Sequence, residues 1–195
     1  MKKSEIILIA FSVLSIAGKF LNVPLSGILS VLSLTTLGLL YFIWAIPVFF
    51  GMDFSELFNG GYKKLGARQI ASTLITGWGL GVALNGVLFK LQIWPGADTI
   101  LFVGSIATSF SVLVSLAFYR SSKEQPYLNM LKRSIPILLI SLLAYSTTSR
   151  QLLEAKYPDN PEYIEAFIAA QENPDDEELQ AKEQEEWDKM YEDEE

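Results

Sequence analysis

Long apolar runs without a single charge alternate with short charged stretches over most of this chain, and the last fifth reverses the pattern. Leu25 to Phe50, Gln69 to Phe89 and Thr99 to Tyr119 contain no Asp, Glu, Lys or Arg. Each reaches the roughly 20 residues that a helix needs to cross hydrocarbon, so at least three membrane spans follow. Spans are expected at about 4–23, 25–50, 70–94, 99–119 and 134–149. The last is short, because only Ser134 to Ser149 lie between Arg133 and Arg150. It crosses if its arginines snorkel and the bilayer thins locally; otherwise it lies as an interfacial or re-entrant helix. The expectation is an all-α, polytopic integral membrane helical bundle of four to five spans over residues 1–149, with an acidic tail over 150–195.

The opening MKKSEIILIAFSVLSIAG has the basic start and apolar stretch of a signal peptide, and Ser15-Ile16-Ala17 offers a cleavage point. Against cleavage, the apolar character resumes directly after Lys19. A repeat points the same way. KFLNVPLSG and KLQIWPGAD match each other, so that Lys19 with Pro24 and Lys90 with Pro95 mark equivalent turns in two repeated helical hairpins, 71 residues apart. No signal peptide could lie at the second copy, and Ser4 to Val23 is read as a span. Pro47 falls near the inner end of the second span, with Tyr41 and Trp44 at interfacial depth. The stretch GMDFSELFNGGYKKLGARQ is a loop, broken at Gly60-Gly61 and holding a short helix after Asp53. Asp98 stands where a carboxylate can cap the fourth helix.

The net charge of −7 conceals two unlike parts. Residues 1–158 carry 13 Lys/Arg against 6 Asp/Glu, and residues 159–195 carry 2 against 16. If the helices alternate, Lys2, Lys3, Lys63, Lys64, Arg68, Arg120, Lys123, Lys132 and Arg133 all fall on one side, which makes the N-terminus cytoplasmic in a bacterial inner membrane. Five spans then put the tail outside, and four put it inside. The tail reads as two short helices begun at Asn160-Pro161 and Asn173-Pro174. It is either a solubilising, partly disordered end or a helical segment that docks on a basic protein surface.

There is no cysteine and no histidine, which excludes disulfides, thiolate nucleophiles, imidazole bases and the usual zinc sites. No phosphate loop, acidic metal cluster or Ser/Lys dyad is present, so no enzyme activity, cofactor, metal or nucleic acid is expected. Lys19 and Lys90 stand out as charges embedded in the spans, and an ionisable group inside a membrane is a functional-site hypothesis. Each also lies about one turn from the outer face, where anchoring or hairpin capping accounts for it. In the third span Gly77 and Gly81 form a face that a neighbouring helix can approach closely, with Asn85 able to hydrogen-bond across it. Gly104, Thr108, Ser111 and Ser115 offer a matching surface on the fourth, and these two helices are expected to pack tightly.

The segment GVLFKLQIWPGADTILFVGSIATSF resembles the transmembrane hairpin of the gliding-motility motor's small membrane subunit, the GldL type, and of related small multi-pass bacterial proteins. Phe89, Lys90, Trp94, Pro95, Gly96 and Ala97 carry the likeness, with Gly18, Lys19 and Pro24 as a weaker first copy. The resemblance implies a helical hairpin in a membrane complex. In that family an acidic residue in the second helix works with the helix-end lysine on the proton gradient. The corresponding region here, around Ser109 and Phe110, has no carboxylate, so only Lys90 carries over.

The expected role is an accessory or scaffolding subunit of an envelope complex, with lipid and other membrane subunits or further copies of the chain as partners. The alternative is a small transporter or channel, with Asn85, Lys90, Thr108 and Ser111 lining a path between the third and fourth helices.

Overall fold

A computed structural model describes residues 2–21 and 23–192, and every described element is helical. Two compact units divide the chain, Met1–Ser146 and Thr147–Glu195.

The first unit contains five long helices: α1 (Lys2–Phe20), α2 (Ser26–Phe50), α4 (Ala67–Leu91), α5 (Ala97–Ser122) and α6 (Gln125–Ser146). The short α3 (Phe54–Phe58) and a 3-10 turn at Gly61–Lys64 link α2 to α4. α4 occupies the centre, packed against α2, α5 and α6, while α1 packs chiefly on α2. Leu34, Leu37, Tyr41, Phe49, Leu80, Leu84, Leu88, Tyr127 and Met130 meet in the core. The outward faces are also apolar, with Ile7, Leu14, Ile28, Leu32, Ile43, Leu113, Leu139 and Leu143 exposed. Such an exposed coat would be a liability in water and is what a hydrocarbon solvent requires.

α2, α4, α5 and α6 are long and apolar enough to cross a membrane. α6 corrects the expected span at 134–149. It begins at Gln125, eight residues before Arg133, and its 22 residues need no thinning of the bilayer. Sequence reading stopped at Arg133 because an arginine inside a span is expensive, and α6 can hold it there because a partner waits on another helix.

The ends of these helices have local causes. Pro47 lacks the N–H that α2 would use, and the chain kinks at Trp44 (φ −107°, ψ 27°) before Gly51 ends the helix in the left-handed region. Gly96, at φ 78°, opens α5.

The two hairpin turns share their backbone hydrogen bonds at an offset of 71 residues. Val23 N–H donates to Gly18 O at 2.9 Å, and Trp94 N–H to Phe89 O at 2.9 Å. Leu21 bonds Ala17 O as Gln92 bonds Leu88 O, and Leu29 bonds Leu25 O as Ile100 bonds Gly96 O. Leu25 takes the left-handed conformation (φ 64°) that Gly96 takes in the second turn.

The second unit is three helices rather than the two expected: α7 (Ser149–Lys156), α8 (Pro161–Glu172) and α9 (Glu177–Glu192). Thr148 caps α7 in a reciprocal box with Gln151 (3.2 and 2.9 Å). Pro161 starts α8 as expected, but α9 begins at Glu177, where the Asp176 carboxylate accepts from Glu178 N and Leu179 N. Tyr157, Tyr163 and Trp187 cluster with ring centroids 5.3–6.2 Å apart.

Candidate functional site

α4 presents different residues to different neighbours, and this decides what its polar side chains can do. Gly77 and Gly81 face α2, not α5. A Cβ on Gly77 would meet the Tyr41 carbonyl oxygen and, at 2.5 Å, the Ala45 Cβ; one on Gly81 would lie 3.1 Å from Gly38 O. Asn85 belongs to this same face, its Nδ2 beside Gly38, and it donates to Gly81 O of its own helix at 2.8 Å rather than across the contact.

The surface against α5 is built from other residues. A Cβ on Gly104 would fall 2.6 Å from Ala83 Cα, and one on Gly86 2.9 Å from Leu101 N. Thr108 and Ser111 do face inward, and Ser111 Oγ donates to Thr76 Oγ1 at 2.6 Å. Among the described residues, Thr73, Ser105, Thr108, Ser134 and Ser141 keep buried hydroxyls with no hydrogen-bond partner. They pack as small residues where helix backbones touch. The four residues expected to line one path are therefore divided: Thr108 and Ser111 lie buried on α5, with Ser111 bonded to Thr76 of α4, Lys90 pairs with Asp98 at the turn, and Asn85 lies toward α2.

The two hairpin lysines have different partners. Lys90 is 4% exposed and pairs with Asp98 Oδ1 at 2.6 Å, across the turn that Trp94 and Pro95 form. Asp98 thus lies inside the first turn of α5 and holds Lys90, instead of standing before that helix as a cap. Phe89 and Trp94 pack edge to face at 5.0 Å over the same turn. Lys19 reaches the other hairpin, where its ammonium donates to Leu91 O and to Gln92 Oε1 at 2.8 Å. Gln92 Nε2 in turn donates to Ser30 Oγ at 3.1 Å and Gly27 O at 3.3 Å. Lys19 therefore fills the free carbonyl end of α4 and joins the two hairpins.

The most charged buried constellation was missed by sequence reading. Glu5, 5% exposed, accepts from Arg133 Nε at 2.5 Å and Nη2 at 2.6 Å, a two-bonded fork, and from Tyr41 Oη at 2.7 Å. Arg133 Nη1 donates to Asn129 O, and Asn129 Nδ2 to Phe49 O at 2.8 Å. The guanidinium lies 5.7 Å from the Phe49 ring, which stacks on Tyr41. One carboxylate thus binds α1, α2 and α6 together at the end opposite the hairpin turns. In the sequence Glu5 stands near the start of the first span and Arg133 among the loop charges, with nothing local to connect them. The available signal was two opposite charges, each bordering an apolar run on the same predicted side.

A cavity of about 400 Å³ opens beside this network, lined by Lys3, Glu5, Pro47, Val48, Gly51, Met52 and Asp53. No group of three or more metal-ligating side chains occurs among the described residues.

Apolar exposed faces, four helices of spanning length and ion pairs at the two ends of the bundle define a multi-pass helical membrane protein. Compared with known proteins, the chain matches no family model, no curated protein and no solved structure. Its own residues carry the functional reading.

Proposed function

We propose that the protein is an accessory or scaffolding subunit of a bacterial envelope complex and has no transport or enzymatic activity of its own. The observation that supports this best is the close backbone contact along both working faces of α4, where an added Cβ at Gly77 or Gly104 would enter a neighbouring helix. A path between α4 and α5 would have to open through backbone contacts. Asn85, its intended polar lining, is turned toward α2.

The proposal includes an orientation. α1 is the fifth crossing, and its 19 residues, about 28 Å at about 1.5 Å each, nearly match the hydrocarbon thickness. Its charges are all partnered or terminal: Lys2 and Lys3 at the start, Glu5 on Arg133, and Lys19 on α4. The basic loops then face the cytoplasm of an inner-membrane protein, and the acidic unit emerges outside, where it is available to a basic protein surface. The resemblance of the second hairpin to a motor subunit agrees with a place in a membrane complex.

The test is reconstitution of the full chain into liposomes, beside native gels of solubilised membranes. Proteoliposomes as tight to ions and small solutes as empty vesicles, together with migration in an assembly larger than one copy, are expected. Solute or proton flux that depends on the protein would overturn the scaffold reading in favour of the transporter.

A further inference from the structure

We infer that the cavity beside Glu5 is a binding site for the zwitterionic headgroup of a phospholipid with a primary amine, its phosphate on Lys3 and its ammonium on Asp53 and Glu5. This rests on the membrane reading of the fold and not on the scaffolding role.

Depth is the first support. Glu5 lies against Tyr41, nine residues before the end of α2, which is about 13 Å short of that end at about 1.5 Å per residue. α1 therefore begins inside the length of its neighbour, and the space beside its first turn falls at headgroup level. Pro47, Val48 and Met52 give the cavity an apolar wall. On the next turn of α1, Ile6 and Ile7 are 64% and 67% exposed, a surface along which an acyl chain can lie.

Charge is the second. The lining holds one ammonium, Lys3, and two carboxylates, Glu5 and Asp53, at the carbonyl end of α2, whose partial negative charge favours a cation. A lone anion would face the Asp53 carboxylate beside the Arg133-paired Glu5, and a lone cation would face Lys3. A ligand carrying both charges meets a partner for each. Glu5 accepts three hydrogen bonds from Tyr41 and Arg133, and a carboxylate offers about four acceptor positions, which leaves one for a guest N–H. That selects a primary ammonium over choline, which has no N–H to donate, and over glycerol, which has no positive charge.

The experiment uses the full chain, stripped of lipid in detergent, with native mass spectrometry to count bound lipid. Phosphatidylethanolamine, phosphatidylcholine and phosphatidylglycerol with identical acyl chains are titrated separately. Half-occupancy by the ethanolamine lipid is expected at a concentration about tenfold below the other two. Lys3→Gln and Asp53→Asn should each remove most of that preference while leaving the lipid-free unfolding midpoint unchanged. Equal retention of the three lipids, or a preference that survives both substitutions, overturns the proposal. Free phosphoethanolamine that displaces the lipid at equal concentration would place the guest in water and overturn the lipid assignment.

Discussion

Arg133→Met tests the fork that joins α1 to α6. The substitution keeps much of the apolar stem and removes the guanidinium, so two charge-assisted bonds of 2.5 and 2.6 Å disappear. Glu5, with its side chain 7% exposed, is left with Tyr41 as its only remaining hydrogen-bond donor among the described residues. Removing one partner of a buried pair costs about 3–5 kcal/mol, most of it the uncompensated charge left behind. Tyr41→Phe removes one bond to the charged carboxylate and should cost less, about 1.5–3 kcal/mol. The double variant Glu5→Leu with Arg133→Met replaces the pair by apolar groups and should recover most of the loss, because desolvation of both charges goes with them. Reversible unfolding in mixed micelles, titrated with dodecyl sulfate and followed by tryptophan fluorescence, measures the parent, these three variants and Glu5→Leu alone, which completes the cycle. Independent, additive losses in the double variant would refute the coupling, as would an Arg133→Met protein within about 1 kcal/mol of the parent.

Gly77→Leu should separate α2 from α4 and lower stability by about 1–3 kcal/mol or more in the same assay. Gly27→Leu, where an added Cβ meets nothing within 4 Å, should change it little. In the acidic unit, Arg150 holds the Glu165 carboxyl below the ordinary glutamate range through a hydrogen bond at 2.7 Å. A depressed carboxyl stabilises the folded state above its unfolded pKa, and that contribution is lost as the pH falls through the lowered value. Carboxyl carbon resonances should place the Glu165 midpoint below that of a free glutamate and return it to the ordinary range in Arg150→Gln. Ser149→Cys should react with an impermeant maleimide in intact spheroplasts, since the native chain has no competing thiol; protection until lysis would put the acidic unit inside.

The apolar blocks made the long helices legible, because helix length against bilayer thickness is a strong constraint and the turn residues repeat along the chain. The partners within the bundle were harder to read. Gly77, Gly79 and Gly81 alternate along one stretch of α4, and a difference of two residues decides whether a glycine meets α2 or α5. Spacing alone does not say which neighbour lies on which side. Lys19 and Lys90 share a register, yet their partners differ, since Asp98 has Gly27 as its counterpart 71 residues earlier and Lys19 had to find a carbonyl on another helix. Arg133 hid the start of α6 because its carboxylate lies 128 residues away, beyond the reach of any local pattern.

That same separation bears on how the protein is made. Synthesis runs from the N-terminus, so Glu5 waits for Arg133 through 128 further residues, roughly 6 to 26 s at about 5–20 residues per second. Until then α1 carries an acid with no counter-ion, held among the described residues by the Tyr41 hydroxyl alone. Closure of the bundle falls to its last helix, and a product truncated before α6 would keep its first helix on α2 and α4 but leave Glu5 unpaired, a defect open to quality-control proteases.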